Sequence, residues 1–211
     1  ESVEKSTNMN GFEAALYGLV QGITEYLPVS SSAHLILLPK FLGTEDPGLA
    51  FDVFLHLGTL FATLLYFWRD WYALLNPAHL RANLTKTDGI SIPILVVATI
   101  PAVVAGLLLQ KWADTIFRGE GVIVCTLTIG AILLYAADRY AKADRPLEKA
   151  TLRDAVFVGL FQCLALVPGM SRSGSTMAGA RIGGFNRESA ARFSFLMSAP
   201  ITAGAIIFEL K

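Results

Sequence analysis

The sequence from residue 14 to residue 34 reads Ala-Ala-Leu-Tyr-Gly-Leu-Val-Gln-Gly-Ile-Thr-Glu-Tyr-Leu-Pro-Val-Ser-Ser-Ser-Ala-His. Its apolar run, residues 14–24, is too short to cross a bilayer as a helix, which takes about 20 residues. The run ends in polar residues, turns through Pro28 and resumes as a second short apolar run at 35–42. This pattern predicts two short helices separated by a break. Because broken backbone survives at membrane depth only inside protein or beside a wet cavity, the break is a candidate site.

A second segment of the same kind occurs in the other half of the chain. The apolar run 155–167 leads into Pro-Gly-Met-Ser-Arg-Ser-Gly-Ser-Thr at 168–176, and apolar sequence resumes at 177–185. The two segments share residues that lie about 141 positions apart. The matched pairs include Gly18 with Gly159, Gln21 with Gln162, and Phe54 with Phe195. Repeats of this kind build many membrane sites at mid-depth, so we predict two re-entrant helix pairs.

The composition predicts a membrane protein. Of the 211 residues, 54% are hydrophobic and 16% are charged, whereas soluble domains have about 25% charged residues. Four further apolar blocks reach or approach the length of a membrane span: 49–68, 90–110, 121–137 and 190–210. The 17 basic and 17 acidic residues cancel, so the charge does not indicate nucleic acid as a partner. We therefore predict an all-α integral membrane protein with several transmembrane helices.

The basic residues of the loops predict the orientation of the chain. If the blocks 49–68, 90–110 and 121–137 span, the loops after the first and the third lie on one side. These two loops hold eight Lys and Arg residues, and the loop between them on the other side holds two. The positive-inside rule places the richer side in the cytoplasm. The first re-entrant pair then enters from the outer face and the second from the cytoplasmic face, so the repeat is predicted to have inverted topology.

We interpret residues 1–211 as a single membrane domain. Repeat one is predicted at about 11–137, and repeat two from about 152. The blocks 90–110 and 121–137 would have their partners about 141 residues later, past residue 211. The second repeat is therefore expected to be truncated at 211.

Polar residues at the first break form a candidate chemical site. Gln21 and Glu25 are four residues apart and share one helix face. A carboxylate inside a membrane costs about 2.5–3.5 kcal/mol on insertion scales, so Glu25 is expected to face a cavity, a partner or a metal. The alternative is an interfacial Glu that simply ends a helix. The serines at 30–32 begin the next helix, where they would cap it or help to bind an anion, and His34 can exchange a proton near neutral pH.

The second break adds a positive charge, Arg172, flanked by three serines and a threonine. These are Ser171, Ser173, Ser175 and Thr176. A guanidinium with hydroxyl and amide donors around it suits a phosphate group, whereas an arginine that snorkels to the interface is the plainer alternative. Packing the two broken helices together would bring Glu25, Ser31 and His34 against Arg172.

Other polar and sulfur-containing residues carry weaker signals. Asp52 and His56 share a face of the block 49–68 and could extend the site, although an Asp at the membrane interface explains the pattern equally well. Cys125 and Cys163 lie inside apolar stretches without a zinc-type spacing, so we interpret them as small core hydrophobes.

The two polar motifs resemble a known family. Residues 21–34 resemble the first signature of the bacterial undecaprenyl pyrophosphate phosphatases of the bacitracin-resistance type, and residues 168–176 resemble the second. The resemblance implies an integral enzyme of the bacterial inner membrane that removes one phosphate from undecaprenyl diphosphate and recycles the lipid carrier of cell-wall synthesis. It also implies a divalent cation, Mg²⁺ or Ca²⁺, and an active site open to the periplasmic side. The expected partners are the polyprenyl diphosphate lipid, membrane lipids and a second copy in a homodimer, and not nucleic acid.

The resemblance also assigns roles to individual residues. Glu25 falls on the second acidic position of the motif, Ser31 on the serine often proposed as nucleophile, and His34 on the histidine. Arg172 falls on the phosphate-binding arginine. The hydroxyls expected around the substrate phosphates are Ser30, Ser32, Ser171, Ser173 and Thr176. Glu25 is expected to hold the metal with Gln21, but Gln21 stands where many members have Glu, which weakens any scheme with two carboxylates on the metal.

The residues alone are compatible with two functions. In the phosphatase, Arg172 binds the terminal phosphate, and His34 acts as base for Ser31 or for a water. The alternative is a transporter or flippase of undecaprenyl phosphate or another anionic lipid, because inverted repeats and broken helices are also the anatomy of alternating access. The set of Glu25, Ser31 and His34 favours the enzyme, since a carrier needs no nucleophile beside a base.

Overall fold

The structure is a computed structural model, which describes residues 9–78, 80–115 and 119–209. The described residues form helices, with two isolated β-bridges and no longer strand. The α-helices are α1 (Gly11–Tyr26), α2 (Ser31–Leu42), α3 (Leu49–Tyr66), α4 (Trp68–Leu75), α5 (Leu80–Thr85), α6 (Ile92–Thr115), α7 (Glu120–Tyr140), α8 (Leu152–Cys163), α9 (Arg172–Ile182) and α10 (Arg187–Glu209). Two 3₁₀ turns lie at Leu147–Lys149 and Leu164–Leu166.

Several of these helices are long and apolar enough to cross a membrane. They are the segments Ile92–Leu109 of α6, Gly121–Tyr140 of α7 and Arg187–Phe208 of α10. The pair α3 and α4 would be a fourth span if it is counted as one, although the chain bends by 74° between the two helices. The all-α, multi-pass membrane architecture predicted from the apolar blocks is therefore confirmed.

Each predicted break separates two short helices. α1 ends at Tyr26 and α2 begins at Ser31, while α8 and its 3₁₀ turn end at Leu166 and α9 begins at Arg172. The serine before each second helix, Ser30 or Ser171, has a positive φ of 65° or 54° and caps the helix with its hydroxyl. Such backbone costs about 1–3 kcal/mol for a residue other than glycine and clusters at functional sites. The two breaks therefore share one unusual local structure.

The helices of the two halves begin at matching positions. The starts of α1 and α8 are 141 residues apart, as are the starts of α2 and α9. Both α1 and α8 also begin with a capping box, formed by Asn10 with Glu13 and by Thr151 with Asp154. The opposite orientation of the two halves in the membrane stays a prediction.

The second helix pair is packed closely among longer helices. A Cβ added to Gly159 of α8 would lie 2.5 Å from the carbonyl oxygen of Ala98, so only glycine lets α6 approach this closely. In α9, a Cβ at Gly179 would lie 2.7 Å from the ring of Phe161. The buried apolar core continues from these contacts into α10, where Phe193 and Leu196 are fully buried. This packing holds the start of α9, and with it Arg172, in a fixed place.

Candidate active site

The two breaks meet at an ion pair. Glu25, in the last turn of α1, accepts a hydrogen bond through Oε1 from Nη2 of Arg172, the first residue of α9. The side chain of Glu25 is only 9% exposed and that of Arg172 is 22% exposed. Removing one partner of such a buried pair would leave an unpaired charge, which costs about 3–5 kcal/mol. The pair therefore holds the two halves of the site together.

The second carboxylate oxygen of Glu25 gathers the other polar groups of the first break. Ser31 donates its hydroxyl hydrogen bond to Oε2 at 2.6 Å, and the Gln21 amide nitrogen lies 3.2 Å from the same oxygen. The His56 Nε2 atom of α3 lies 3.5 Å from it. The Glu25 carboxylate therefore has a hydroxyl, an amide, an imidazole and a guanidinium within 3.5 Å of its oxygens.

Helix α10 fixes the other side of the Arg172 guanidinium. Its Nη1 atom donates to the Thr202 hydroxyl, and it lies 3.4 Å from the carbonyl oxygen of Ser198. Helices α1 and α10, which are distant in sequence, thus hold the guanidinium in a defined orientation. A preoriented guanidinium loses little entropy on binding a phosphate.

A cavity of about 260 Å³ lies over this group, and both polar and apolar side chains line it. The polar lining includes Glu25 and His56 together with the serines of both breaks, Ser30, Ser31, Ser32, Ser171 and Ser173, and Arg172. The apolar lining includes side chains of α6, α10 and the 3₁₀ turn, namely Ala102, Leu166, Ile201, Ala205 and Ile206. The cavity therefore suits an amphiphile with an anionic head.

The serines are arranged in the same way on both sides of the cavity. Ser30 and Ser32 hydroxyls lie 3.2 Å apart, and Ser171 and Ser173 hydroxyls also lie 3.2 Å apart. Both pairs surround the N-terminus of a short helix, α2 or α9, where free amides and the helix dipole favour an anion. Two helix N-termini therefore face one cavity.

Besides Gln21, two residues of the predicted site lie apart from the cavity lining. Thr176 is buried, and its hydroxyl contacts the Arg172 carbonyl oxygen at 2.8 Å and the Ser194 hydroxyl at 2.6 Å. His34 has an exposed side chain, and its Nδ1 lies 2.8 Å from the Ser30 carbonyl oxygen. The structure thus does not bring His34 against Arg172 as the sequence led us to expect. The catalytic and phosphate-binding roles assigned to these two residues stay predictions.

The imidazole that faces the site is His56. In the sequence, His56 shares one face of a predicted span with Asp52, which is a weaker signal than the motif around His34. The signal was a histidine inside an apolar span, where polar side chains usually face a cavity or a partner. The position of His56 in the sequence does not indicate which cavity its side chain faces, because the break at 27–30 and the span at 49–68 come together only in the folded chain.

The polar groups at Glu25 fit a divalent cation that also binds the substrate. Gln21 is 1% exposed, and its Oε1 atom has no hydrogen-bond partner among the described residues. Within the described ranges no three His, Cys, Asp or Glu side chains form a cluster of their own. Mg²⁺ is often bound by one or two carboxylates, waters and substrate phosphates, so one carboxylate beside a free amide oxygen suits such a cation.

Comparison with known proteins identifies the family. A family model described as bacitracin resistance protein BacA matches residues 14–211. The chain belongs to the BacA family. The undecaprenyl-diphosphatase of Gemmatimonas aurantiaca is 51% identical to it over 205 residues, which is 96% of this chain and 77% of the relative. The undecaprenyl-diphosphatase of Moorella thermoacetica is 49% identical over 203 residues, with the same coverage of both chains.

BacA membership confirms the family resemblance drawn from the two motifs. The match includes both breaks and every residue of the cavity. The two segments that resemble the family signatures are the ones that the fold brings together at Glu25 and Arg172.

Proposed function

We propose that this chain hydrolyses undecaprenyl diphosphate to undecaprenyl phosphate and inorganic phosphate. Its BacA relatives named undecaprenyl-diphosphatase support the reaction. The observation that carries the proposal is the ion pair of Glu25 and Arg172, which lies beside Ser31 in a cavity lined by both polar and apolar side chains. No contact among the described residues favours the transporter alternative.

The polar and the apolar lining of the cavity orient the substrate. The diphosphate binds against the polar lining, where Arg172 and the N-termini of α2 and α9 neutralise its charge. The polyprenyl chain of the bound substrate lies along the apolar side chains of α6 and α10. Phosphoryl transfer depends mainly on such positioning and charge neutralisation.

Ser31 attacks the terminal phosphorus in this proposal. Its hydroxyl already donates to Glu25 Oε2 at 2.6 Å, so the carboxylate takes the proton as the new oxygen–phosphorus bond forms. The bond to the bridging oxygen breaks, and undecaprenyl phosphate leaves. A water oxygen then attacks the phosphorus of the phosphoserine, and Glu25 returns its proton to the Ser31 oxygen as that bond to phosphorus breaks. Inorganic phosphate leaves with the hydrogens of the water, and the Ser31 hydroxyl and the Glu25 carboxylate are restored. This scheme gives Glu25 the base role that the sequence had assigned to His34.

The proposed cation is Mg²⁺ or Ca²⁺, held by the Glu25 carboxylate and the Gln21 amide oxygen. When bound, it supplies further neutralisation of charge on the phosphate oxygens. The protein residues would still orient the reacting groups, because Arg172 is fixed by Thr202 and Ser198 from α10.

We also propose that the protein lies in the bacterial inner membrane as a homodimer, with the site open to the periplasm. The loop charges support this orientation. A cysteine placed at Glu45, between α2 and α3, should be labelled by an impermeant maleimide in intact spheroplasts, and one at Lys142 only after permeabilisation. The reverse pattern would contradict the orientation, and sedimentation in detergent tests the dimer.

Phosphate release by the purified protein tests the function. The assay uses undecaprenyl diphosphate in detergent, with the cation added and then chelated. We expect release that chelation stops and that Arg172→Ala abolishes, while Arg153→Ala, an exposed arginine in the first turn of α8, retains wild-type release. Wild-type release by Arg172→Ala, or no release by the unmodified protein, would overturn the proposal.

A further inference from the structure

The inference concerns His56, which neither the sequence motifs nor the proposed mechanism uses. We propose that His56 is a nitrogen ligand of the divalent cation at Glu25, so that the cation site is built from both α1 and α3. The proposal deepens the proposed function and rests on it for the presence of a cation.

The first nitrogen fixes the orientation of the ring. Nδ1 lies 2.7 Å from the carbonyl oxygen of Asp52, one turn earlier in α3. A carbonyl oxygen only accepts, so Nδ1 must carry the hydrogen and donate it. Metal-binding histidines are characteristically held in this way, with the other ring nitrogen donating to a carbonyl or carboxylate.

The second nitrogen then faces the site. Nε2 lies 3.5 Å from Glu25 Oε2, and His56 lines the cavity that also contains Ser31 and Arg172. The distance is longer than the 2.7–2.9 Å of a charge-assisted hydrogen bond. Two ligands at about 2.0–2.2 Å from one cation lie roughly 3.0–3.6 Å apart. The spacing of Nε2 and Oε2 therefore matches two ligands of one cation better than a direct hydrogen bond.

The remaining contacts of Glu25 leave this oxygen available. The charged partner, Arg172, is on Oε1. The groups on Oε2 are the neutral hydroxyl of Ser31 and the neutral amide of Gln21. A carboxylate oxygen has two lone pairs, so one can bind the cation while the other keeps the Ser31 hydrogen bond and the Gln21 amide turns away. A cation between Oε2 and Nε2 would thus not compete with the guanidinium.

A nitrogen ligand has a consequence for the choice of cation. Imidazole suits first-row transition cations, whereas Ca²⁺ takes oxygen ligands almost alone. We therefore expect the site to bind Mn²⁺ more tightly than Ca²⁺, by at least about tenfold, and His56→Gln to remove most of that preference.

Pulsed electron paramagnetic resonance of Mn²⁺ bound to the full-length chain in detergent tests the proposal. Wild-type protein labelled with ¹⁵N only in histidine should show a ¹⁵N coupling to Mn²⁺, which His56→Gln loses. The matched control is His34→Gln, which removes an exposed imidazole outside the cavity and should keep the coupling. If His56→Gln does not fold, the labelled His34→Gln and His79→Gln variants decide instead, because the chain has three histidines and a coupling kept in both variants must come from His56.

The outcomes separate this inference from the proposed function. Mn²⁺ that binds without a histidine coupling, a coupling lost in His34→Gln instead, or no bound Mn²⁺ would each overturn the role of His56. Phosphate release measured on the same sample tests the function independently. Phosphate release without the ¹⁵N coupling would refute the His56 inference and leave the proposed function standing. The coupling without phosphate release would refute the proposed function and leave His56 as a ligand of the cation.

Discussion

At the scale of single residues, the site depends on one carboxylate with four polar neighbours. Glu25 contacts Ser31, Gln21 and Arg172 by hydrogen bonds and lies near His56. Its neighbours come from α1, α2, α3 and α9. Replacing this one carboxylate should therefore affect both chemistry and stability.

We predict that Glu25→Gln lowers the rate of phosphate release by about 10²–10⁴-fold, because an amide cannot accept the Ser31 proton. Phosphate release from undecaprenyl diphosphate measures this. The matched control is Glu148→Gln in the exposed 3₁₀ turn, which should act like wild type. Equal rates for the two variants would remove Glu25 from the mechanism.

The sequence predicted part of this residue-scale arrangement. Glu25, Ser31 and Arg172 were found because a charge in an apolar segment beside a break has few structural explanations. His34 was expected against Arg172 because the two break segments were taken to pack together as whole units. Its side chain is exposed, with Nδ1 2.8 Å from the Ser30 carbonyl oxygen, and its catalytic role stays a prediction.

At the scale of helices, two matched glycines have different surroundings. A Cβ at Gly159 would meet the Ala98 carbonyl oxygen at 2.5 Å, whereas one at Gly18 would have no described atom within 4 Å. The repeat in the sequence predicted that these glycines correspond. It could not predict the difference, because close approach depends on which helix packs against each one.

We predict opposite effects of Gly159→Ala and Gly18→Ala on thermal unfolding in detergent. Gly159→Ala should destabilise by about 1–3 kcal/mol, because α6 must move away. Gly18→Ala should be neutral or stabilise by about 0.5–1 kcal/mol, since alanine favours a helix. A similar loss for both variants would contradict the packing of α6 on α8.

A second helix-scale feature is the start of α8, where Arg145 pairs with Asp154 at 2.5 Å. Burial raises the pKa of Asp154, but hydrogen bonds from Arg145 and Thr151 outweigh it, so the pKa lies below its usual range. A carboxyl with a lowered pKa in the folded state contributes stability above its unfolded pKa, near about 3.9. That contribution is lost as the pH falls through the folded pKa.

We therefore predict that Asp154→Asn lowers the melting temperature at pH 7 and has a smaller effect near pH 3. Melting curves of both proteins at the two pH values measure this. An equal difference at both pH values would show that the charge of Asp154 does not stabilise the start of α8.

At the scale of the whole molecule, the function depends on two distant segments that meet. Hydropathy and length predicted the apolar helices and the two breaks, because these properties are local. The contact between Glu25 and Arg172 was predicted only from the sequence repeat and from the packing of the two predicted re-entrant helix pairs against each other. The role of α10 in fixing Arg172 was missed, because nothing local to Thr202 indicates that its hydroxyl faces a guanidinium.

The halves also differ in their chemistry, although their helices begin at matched positions. At the positions 141 residues after Glu25, Ser31 and His56 stand Leu166, Arg172 and Met197. The first half therefore supplies the carboxylate, the hydroxyl and the imidazole, and the second supplies the guanidinium. Neither half holds the full set of groups that phosphoryl transfer requires.

A double-mutant cycle on Glu25 and Arg172 tests most directly whether the two breaks form one site. The measurement is the free energy of unfolding in detergent for Glu25→Gln, Arg172→Gln and the double variant. Each single change leaves a buried charge unpaired, so we predict that the double variant loses at least about 1 kcal/mol less than the sum of the singles. Glu25→Gln combined with Arg153→Ala should be additive. Additivity within about 0.5 kcal/mol for Glu25 and Arg172 would contradict the account.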